Sequence, residues 1–205
     1  MTMRKTLFVA TFMMISMAAY AQQEVGTLSF QPKVGLNIAR YTDAEDSSPR
    51  FGVASGAEME YQMTKKFSMA VGLLYSMQGI RTDAETYYGS GKVTFKTDYI
   101  NIPIIANVYL LKGLALKFGL QPGFNINAKY YVTSGGYWSD SSSLTNIGVK
   151  VKTFDLAIPV GLSYETKYLV LDARYNVGVT KVFDNEGADS RNCVFQFTIG
   201  HKFRL

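Results

Sequence analysis

The groups able to do chemistry in this 205-residue chain are mostly charges set two residues apart. Glu58 and Glu60 form one such pair and Asp172 and Arg174 another; Lys33, Lys117, Asp155, Lys202 and Arg204 stand in similar surroundings. A spacing of two puts neighbouring charges on one face of a β-strand. Mixed signs on a shared, buried face must pair, and Arg174 is expected at the centre, with Glu58, Asp155 or Asp172 as partners. Catalysis is poorly provided for. His201 is the sole histidine and Cys193 the sole cysteine. A nucleophile needs a base in hydrogen-bond reach and a group to orient it, and nothing local to His201 supplies them. One imidazole and one thiol do not make a zinc site, and a lone cysteine closes no disulfide within the chain. The chain is expected to be no enzyme and to hold no metal or cofactor.

A second set of residues suits contact rather than reaction. Tyr130, Tyr131, Tyr137 and Trp138 fall among Ser and Gly in residues 129–150. Rigid aromatics with small adaptable polar groups are the composition of binding surfaces. Asp43, Glu45 and Asp46 could meet divalent cations that bridge lipopolysaccharide.

These groups need elements to hold them, and period-two alternation runs through the chain with no sustained 3.6-residue period. Residues 51–63 place Phe51, Val53, Met59, Tyr61 and Met63 on one phase, and Gly52, Ala54, Gly56, Glu58, Glu60 and Gln62 on the other. Residues 67–79 repeat the scheme, and runs at 28–41, 98–110, 114–128, 151–164, 168–180 and 192–205 bring the total to eight. Three tiny turns, Thr64-Lys65-Lys66, Leu111-Lys112-Gly113 and Glu165-Thr166-Lys167, alternate with longer polar connections near 42–50, 80–97, 129–150 and 181–191. That rhythm predicts an eight-stranded antiparallel up-and-down transmembrane β-barrel. Short turns and both ends then face the periplasm, and long loops face outward. The apolar phase is too bulky for so narrow an interior, so it must face lipid, and the charged phase must fill the lumen as a salt-bridge plug. Aromatics gather beside the turns (Tyr61, Phe67, Tyr164, Tyr168, Phe203) and toward the loops (Phe51, Tyr75, Phe124, Phe154, Tyr175), as two membrane interfaces require. Pro32, Pro103, Pro122 and Pro159 lie inside proposed strands, where bulges or register adjustments are expected. The Ile102-Pro103 and Ile158-Pro159 pairs suggest a shared local geometry.

Residues 1–21 read as a cleaved secretory signal: Arg4 and Lys5, an apolar run from Leu7 to Ala19, then Ala19-Tyr20-Ala21. Residues 22–205 form the barrel domain. Removing the two cations of the leader lowers the net charge from +5 to +3, too little excess to suggest nucleic acid.

Over most of its length the chain resembles the PorT-like outer-membrane β-barrel family of the Bacteroidota. The likeness rests on residues 33–39, 51–79, 99–110, 117–126, 156–165, 173–179 and 194–203, above all the Tyr75-to-Gly79 element and the Ile-Pro strand. The resemblance implies an outer-membrane barrel without defined catalytic residues, and its namesake assists export of secreted proteins. The expected partners are therefore outer-membrane lipid, lipopolysaccharide and other envelope or secretion proteins. The expected function is a binding or assembly component of the envelope; the alternative is an autonomous structural barrel or narrow conduit.

Overall fold

A sheet surrounded by apolar matter must pair every backbone N–H and C=O, and it loses its free edges only by closing on itself. The computed structural model describes residues 24–42, 47–86, 89–134, 137–138, 142–184 and 189–205, and the chain closes in this way. The proposed leader and the acidic residues Asp43, Glu45 and Asp46 lie outside the described residues, as do the side chains of Tyr137 and Trp138.

Twelve extended segments form one antiparallel sheet. They are β1 (Leu28–Tyr41), β2 (Ser47–Thr64), β3 (Phe67–Thr86), β4 (Gly89–Asn101), β5 (Ile104–Leu111), β6 (Leu114–Ser134), β7 (Tyr137–Trp138), β8 (Ser142–Ser143), β9 (Phe154–Glu165), β10 (Leu169–Lys181), β11 (Arg191–His201) and β12 (Phe203–Arg204). β1 lies between β2 and β11, with Lys33 opposite both Gly56 and Gly200, so the first and last long strands seal the ring. β4 and β5 make a single wall. Asn101 faces Gly123 and Ile104 faces Leu120, so pairing continues without a slip across Ile102-Pro103. β11 and β12 are likewise continuous along β1, where Lys33 faces Gly200 and Phe30 faces Phe203. The short β7 and β8 only add to β6. The result is an up-and-down barrel of about eight walls in a ring.

The in-strand prolines do not cause the expected bulges. Pairing holds its register past Pro32, opposite Ala57, past Pro122, opposite Leu156, and past Pro159, opposite Asn176. A proline lacks its donor but keeps an acceptor and an extended φ, so the ladder loses one bond and no register. Only Ile102-Pro103 interrupts a strand, and there Ile102 N donates to Pro122 O at 2.8 Å and Gly72 N to Pro103 O at 3.0 Å. The two Ile-Pro pairs therefore do not share a geometry.

One of the expected long loops, 80–97, is largely strand, and another, 129–150, is strand in part. β3 runs to Thr86 and β4 starts at Gly89, with the two paired from Asn101–Leu74 out to Gly89–Thr86. β6 continues to Ser134. A crossing needs only about 9–11 residues, so the 20 residues of β3 and 21 of β6 extend well past it. Alternation fades there, where Arg81, Thr82, Val93 and Phe95 are half-buried, while β-branched and aromatic residues such as Thr82, Val93, Thr94 and Phe95 still favour the extended chain.

Facing is as the alternation predicts. Leu36, Val53, Leu73, Phe118, Val160 and Phe197 are exposed on the outer surface, and the inward phase is buried and polar. An apolar knot of Tyr41, Ile80 and Val182, packed against Phe95, Val151 and Phe183, sits at the loop end. Gly79 is needed where the β2–β3 pairing shifts register. Its φ is +130°, and a Cβ there would stand 2.0 Å from the Phe95 carbonyl oxygen. Gly79→Ala should lower the stability of the refolded barrel by about 1–3 kcal/mol in urea titration, and an unmoved midpoint would contradict that reading.

Candidate functional site

Alternation carries one face of each wall into the lumen, charged on most of them, and the strand stagger brings charges from distant parts of the chain to one level. At the middle, Lys33 on β1, Glu58 on β2, Lys117 on β6 and Asp172 and Arg174 on β10 converge, all buried. Arg174 Nη2 donates to Glu58 Oε1 and to Asp172 Oδ2, each at 2.6 Å, and its Nε donates to Asp172 Oδ1 at 2.8 Å. Lys33 Nζ reaches Glu58 Oε2 at 2.5 Å and Asp172 Oδ2 at 3.2 Å. Lys117 Nζ meets the same Asp172 oxygen at 2.5 Å. The expected centre, Arg174 with Glu58 and Asp172, is therefore assembled, and Lys33 and Lys117 complete it.

Glu60 does not join that group. It lies in a second cluster toward the short turns, where Lys202 Nζ binds Glu165 Oε2 at 2.5 Å and Glu60 Oε2 at 3.1 Å. Ser68 Oγ and the Tyr109 hydroxyl each lie 2.7 Å from Glu60 Oε1, and Gln31 donates to its other oxygen. Tyr109 also stands 3.1 Å from Glu165 Oε1. Asp155 is no partner of Arg174. It accepts from Thr180 Oγ1 at 2.5 Å and Asn192 Nδ2 at 3.1 Å, in a third layer toward the loops. There Arg50 Nη1 binds Asp98 Oδ1 at 3.0 Å, and the Tyr41 hydroxyl bonds Thr97 Oγ1 at 2.9 Å.

Sequence reasoning put Glu165 in a turn, although it shares the inward phase of Asp155 and Ser163 and is buried. Extending the phase by one step would have found it. Tyr109 follows Asn107 on the same phase, as an aromatic among polar groups. Asp98 was hidden because pairing shifts by one residue between Asp98 and Tyr99, and both are buried; a bulge of this kind breaks strict alternation. Arg204 was expected inside and is exposed, since it lies past Lys202 at the rim. His201 stacks on Tyr168 with ring centroids 6.0 Å apart, among the aromatics of the turn-side girdle. Among the described residues no group of three or more His, Cys, Asp or Glu side chains is placed to hold a metal.

The aromatic set is divided. Tyr130 and Tyr131 lie on β6, opposite Phe95 and Thr94, and as adjacent strand residues they face opposite ways. Lys96 Nζ stands 4.4 Å from the Tyr131 ring centroid. Tyr137 and Trp138 form β7, which folds back on Ser134 and Thr133.

Residues 20–184 match the family described as outer membrane protein beta-barrel domain. The chain belongs to that family. This outer-membrane barrel is similar to the attachment invasion locus protein Ail of Yersinia pestis in complex with the heparin analogue sucrose octasulfate. Their identity is 18% and the TM-score 0.48, over 88% of this chain and 100% of that one. Neisserial surface protein A is similar at 17% identity and TM-score 0.48, over 86% and 97% of the two chains. OprG of Pseudomonas aeruginosa is similar at 11% identity and TM-score 0.46, over 90% and 99%. No curated protein matches the sequence.

The lumen layers make distinguishable demands. Arg174→Met leaves Glu58 and Asp172 short of a shared cation, and removing one partner of a buried network typically costs about 3–5 kcal/mol. Asp155→Asn keeps its two hydrogen-bonding neighbours and strands no cation, so it should cost under about 1 kcal/mol. Urea unfolding of the refolded barrel checks both, and equal losses would refute the division into layers.

Proposed function

We propose that this protein is a non-enzymatic barrel of eight strands whose working part is the sheet that stands beyond the membrane. On this reading residues 1–21 are removed on export and residues 22–205 form the mature domain, with turns and both ends in the periplasm and the long hairpins outside the cell. The sheet serves as a binding or assembly surface for other envelope proteins, in keeping with the PorT-like resemblance and its link to protein export. The observation that carries the proposal is the length of β3 and β6, 20 and 21 residues, with pairing kept out to Thr86–Gly89. Tethered loops would need none of that ladder; a surface that must hold its shape does. Lys96 over Tyr131 marks one face of this sheet, and β7 brings Tyr137 and Trp138 alongside.

A second reading, an autonomous structural barrel, draws on the lumen. Charge clusters at two levels and an apolar knot at the loop end leave little room for solute, and a barrel of this strand number has none to spare. A narrow conduit is the less favoured form of that reading.

Native electrophoresis of a tagged copy after mild detergent extraction separates the two. A docking component should run far above monomer size, and the double variants Lys96→Ala with Tyr131→Ala, or Tyr137→Ala with Trp138→Ala, should collapse it to monomer at unchanged surface level. A wild-type monomer band would transfer the case to the autonomous barrel. In planar bilayers wild type should be silent, whereas stepwise conductance that rises in Arg174→Ala would restore the conduit.

A further inference from the structure

The short turns carry cations that the lumen does not use. Lys65 and Lys66 lie between β2 and β3, Lys112 between β5 and β6, Lys167 between β9 and β10, and Arg204 on β12; all are exposed. None pairs with a carboxylate among the described residues. Glu60 and Glu165, the nearest acids, are buried and held by Lys202 inside the lumen. The one exposed acidic side chain described at this rim is Glu24. The opposite rim differs, for exposed charges of both signs occur there and Lys152–Asp184 and Lys181–Asp189 pair.

The five cations belong to one continuous collar. Backbone hydrogen bonds join the segments that bear them: Tyr109 N to Lys66 O at 2.9 Å, Glu165 N to Gly113 O at 2.6 Å, Lys202 N to Tyr168 O at 2.7 Å and Leu205 N to Leu28 O at 2.9 Å. Gly26 N to Gln62 O, at 2.8 Å, ties the start of β1 to the end of β2. Directly below lies the exposed girdle of Tyr61, Leu110, Leu111, Tyr168 and Phe203. Aromatics of this kind sit at headgroup depth, and Lys167 Nζ stands 4.9 Å from the Tyr168 ring centroid. The cations thus stand on the turn side of the girdle, next to the aromatics that favour headgroup depth.

We propose that this collar binds the headgroups of anionic glycerophospholipids in the leaflet on the turn side. Each cation near an anionic lipid surface adds attraction that fades within a Debye length, and five on a rigid ring act together. Assigning the leaflet to the periplasmic side rests on the orientation proposed above; the headgroup preference itself does not.

The test uses the refolded barrel in phosphatidylcholine bilayers with a trace of spin-labelled phosphatidylglycerol or spin-labelled phosphatidylcholine. Electron paramagnetic resonance then reads the fraction of each lipid held at the protein surface. Wild type should favour the anionic label about threefold, and the preference should fall toward one in about 0.5 M salt. Lys65→Gln with Lys66→Gln, and Lys112→Gln with Lys167→Gln, should each reduce it, and the four together with Arg204→Gln should abolish it. A control with Lys150, Lys152 and Lys181 changed to Gln should keep it. No preference in wild type, or a loss confined to the control, overturns the proposal. A symmetric bilayer presents the same lipid to both rims, so the result is independent of orientation, which labelling of single cysteines in the turns of intact cells decides separately.

Discussion

Everything inside this barrel is governed by the need to neutralise charge where no bulk water can do so. Five cations (Lys33, Arg50, Lys117, Arg174 and Lys202) and six carboxylates (Glu58, Glu60, Asp98, Asp155, Glu165 and Asp172) are buried. A buried charge is tolerated only when its partner is close and well oriented. Meeting that condition forces walls from across the ring into contact: β1, β2, β6 and β10 at the middle, and β2, β5, β9 and the β11–β12 wall nearer the turns. The lumen thus does for this protein what an apolar core does for a water-soluble one. It specifies which walls face each other.

The remainder of the architecture accommodates that choice. Small residues stand beside the charges on the inward phase, among them Ala54, Ala70, Ser76 and Ala115, and leave space for lysine and arginine stems. Bulk is moved outward, where Leu, Val and Phe meet lipid. Glycine admits the backbone where β2 and β3 shift register, because the Phe95 carbonyl occupies the place of a side chain at Gly79. Single apolar residues such as Leu74 and Ile105 are buried lower down, and at the loop end they gather into a knot, with the Tyr41 and Phe183 rings edge to edge at 5.4 Å.

Much of this was legible in the sequence, for a physical reason. A wall with lipid on one side and a polar lumen on the other must alternate, so Phe51 to Met63 and Phe67 to Met77 disclose both the strands and their facing. The same alternation singled out Glu58, Asp172 and Arg174. It did not show which level each charge occupies, because level depends on the stagger between strands. Asp155, offered as a partner of Arg174, lies in a different layer, and Glu60 falls in a cluster of its own. It failed also where alternation has no cause. In the outer parts of β3, β4 and β6 many side chains on both faces are half-buried, and the sequence there resembles polar loops. At Asp98 and Tyr99 a one-residue shift turns two successive side chains inward. The prolines misled in the opposite direction, since the ladder can lose single donors and keep its register.

The seam between β1 and β11 has a bearing on how the chain reaches this state. Phe30 lies opposite Phe203, and Lys33 binds Asp172 across 139 positions of sequence. Contacts so remote in sequence carry a large loop-closure cost and make for slow folding. Neighbouring hairpins can form early, and Lys33–Glu58 and Asp172–Arg174 can pair within them, yet Lys33–Asp172 and Arg174–Glu58 wait until the ends meet. The half-built sheet is a polar trough with two open edges, and sealing the seam brings the cross-ring pairs Lys33–Asp172 and Arg174–Glu58 together at the same step.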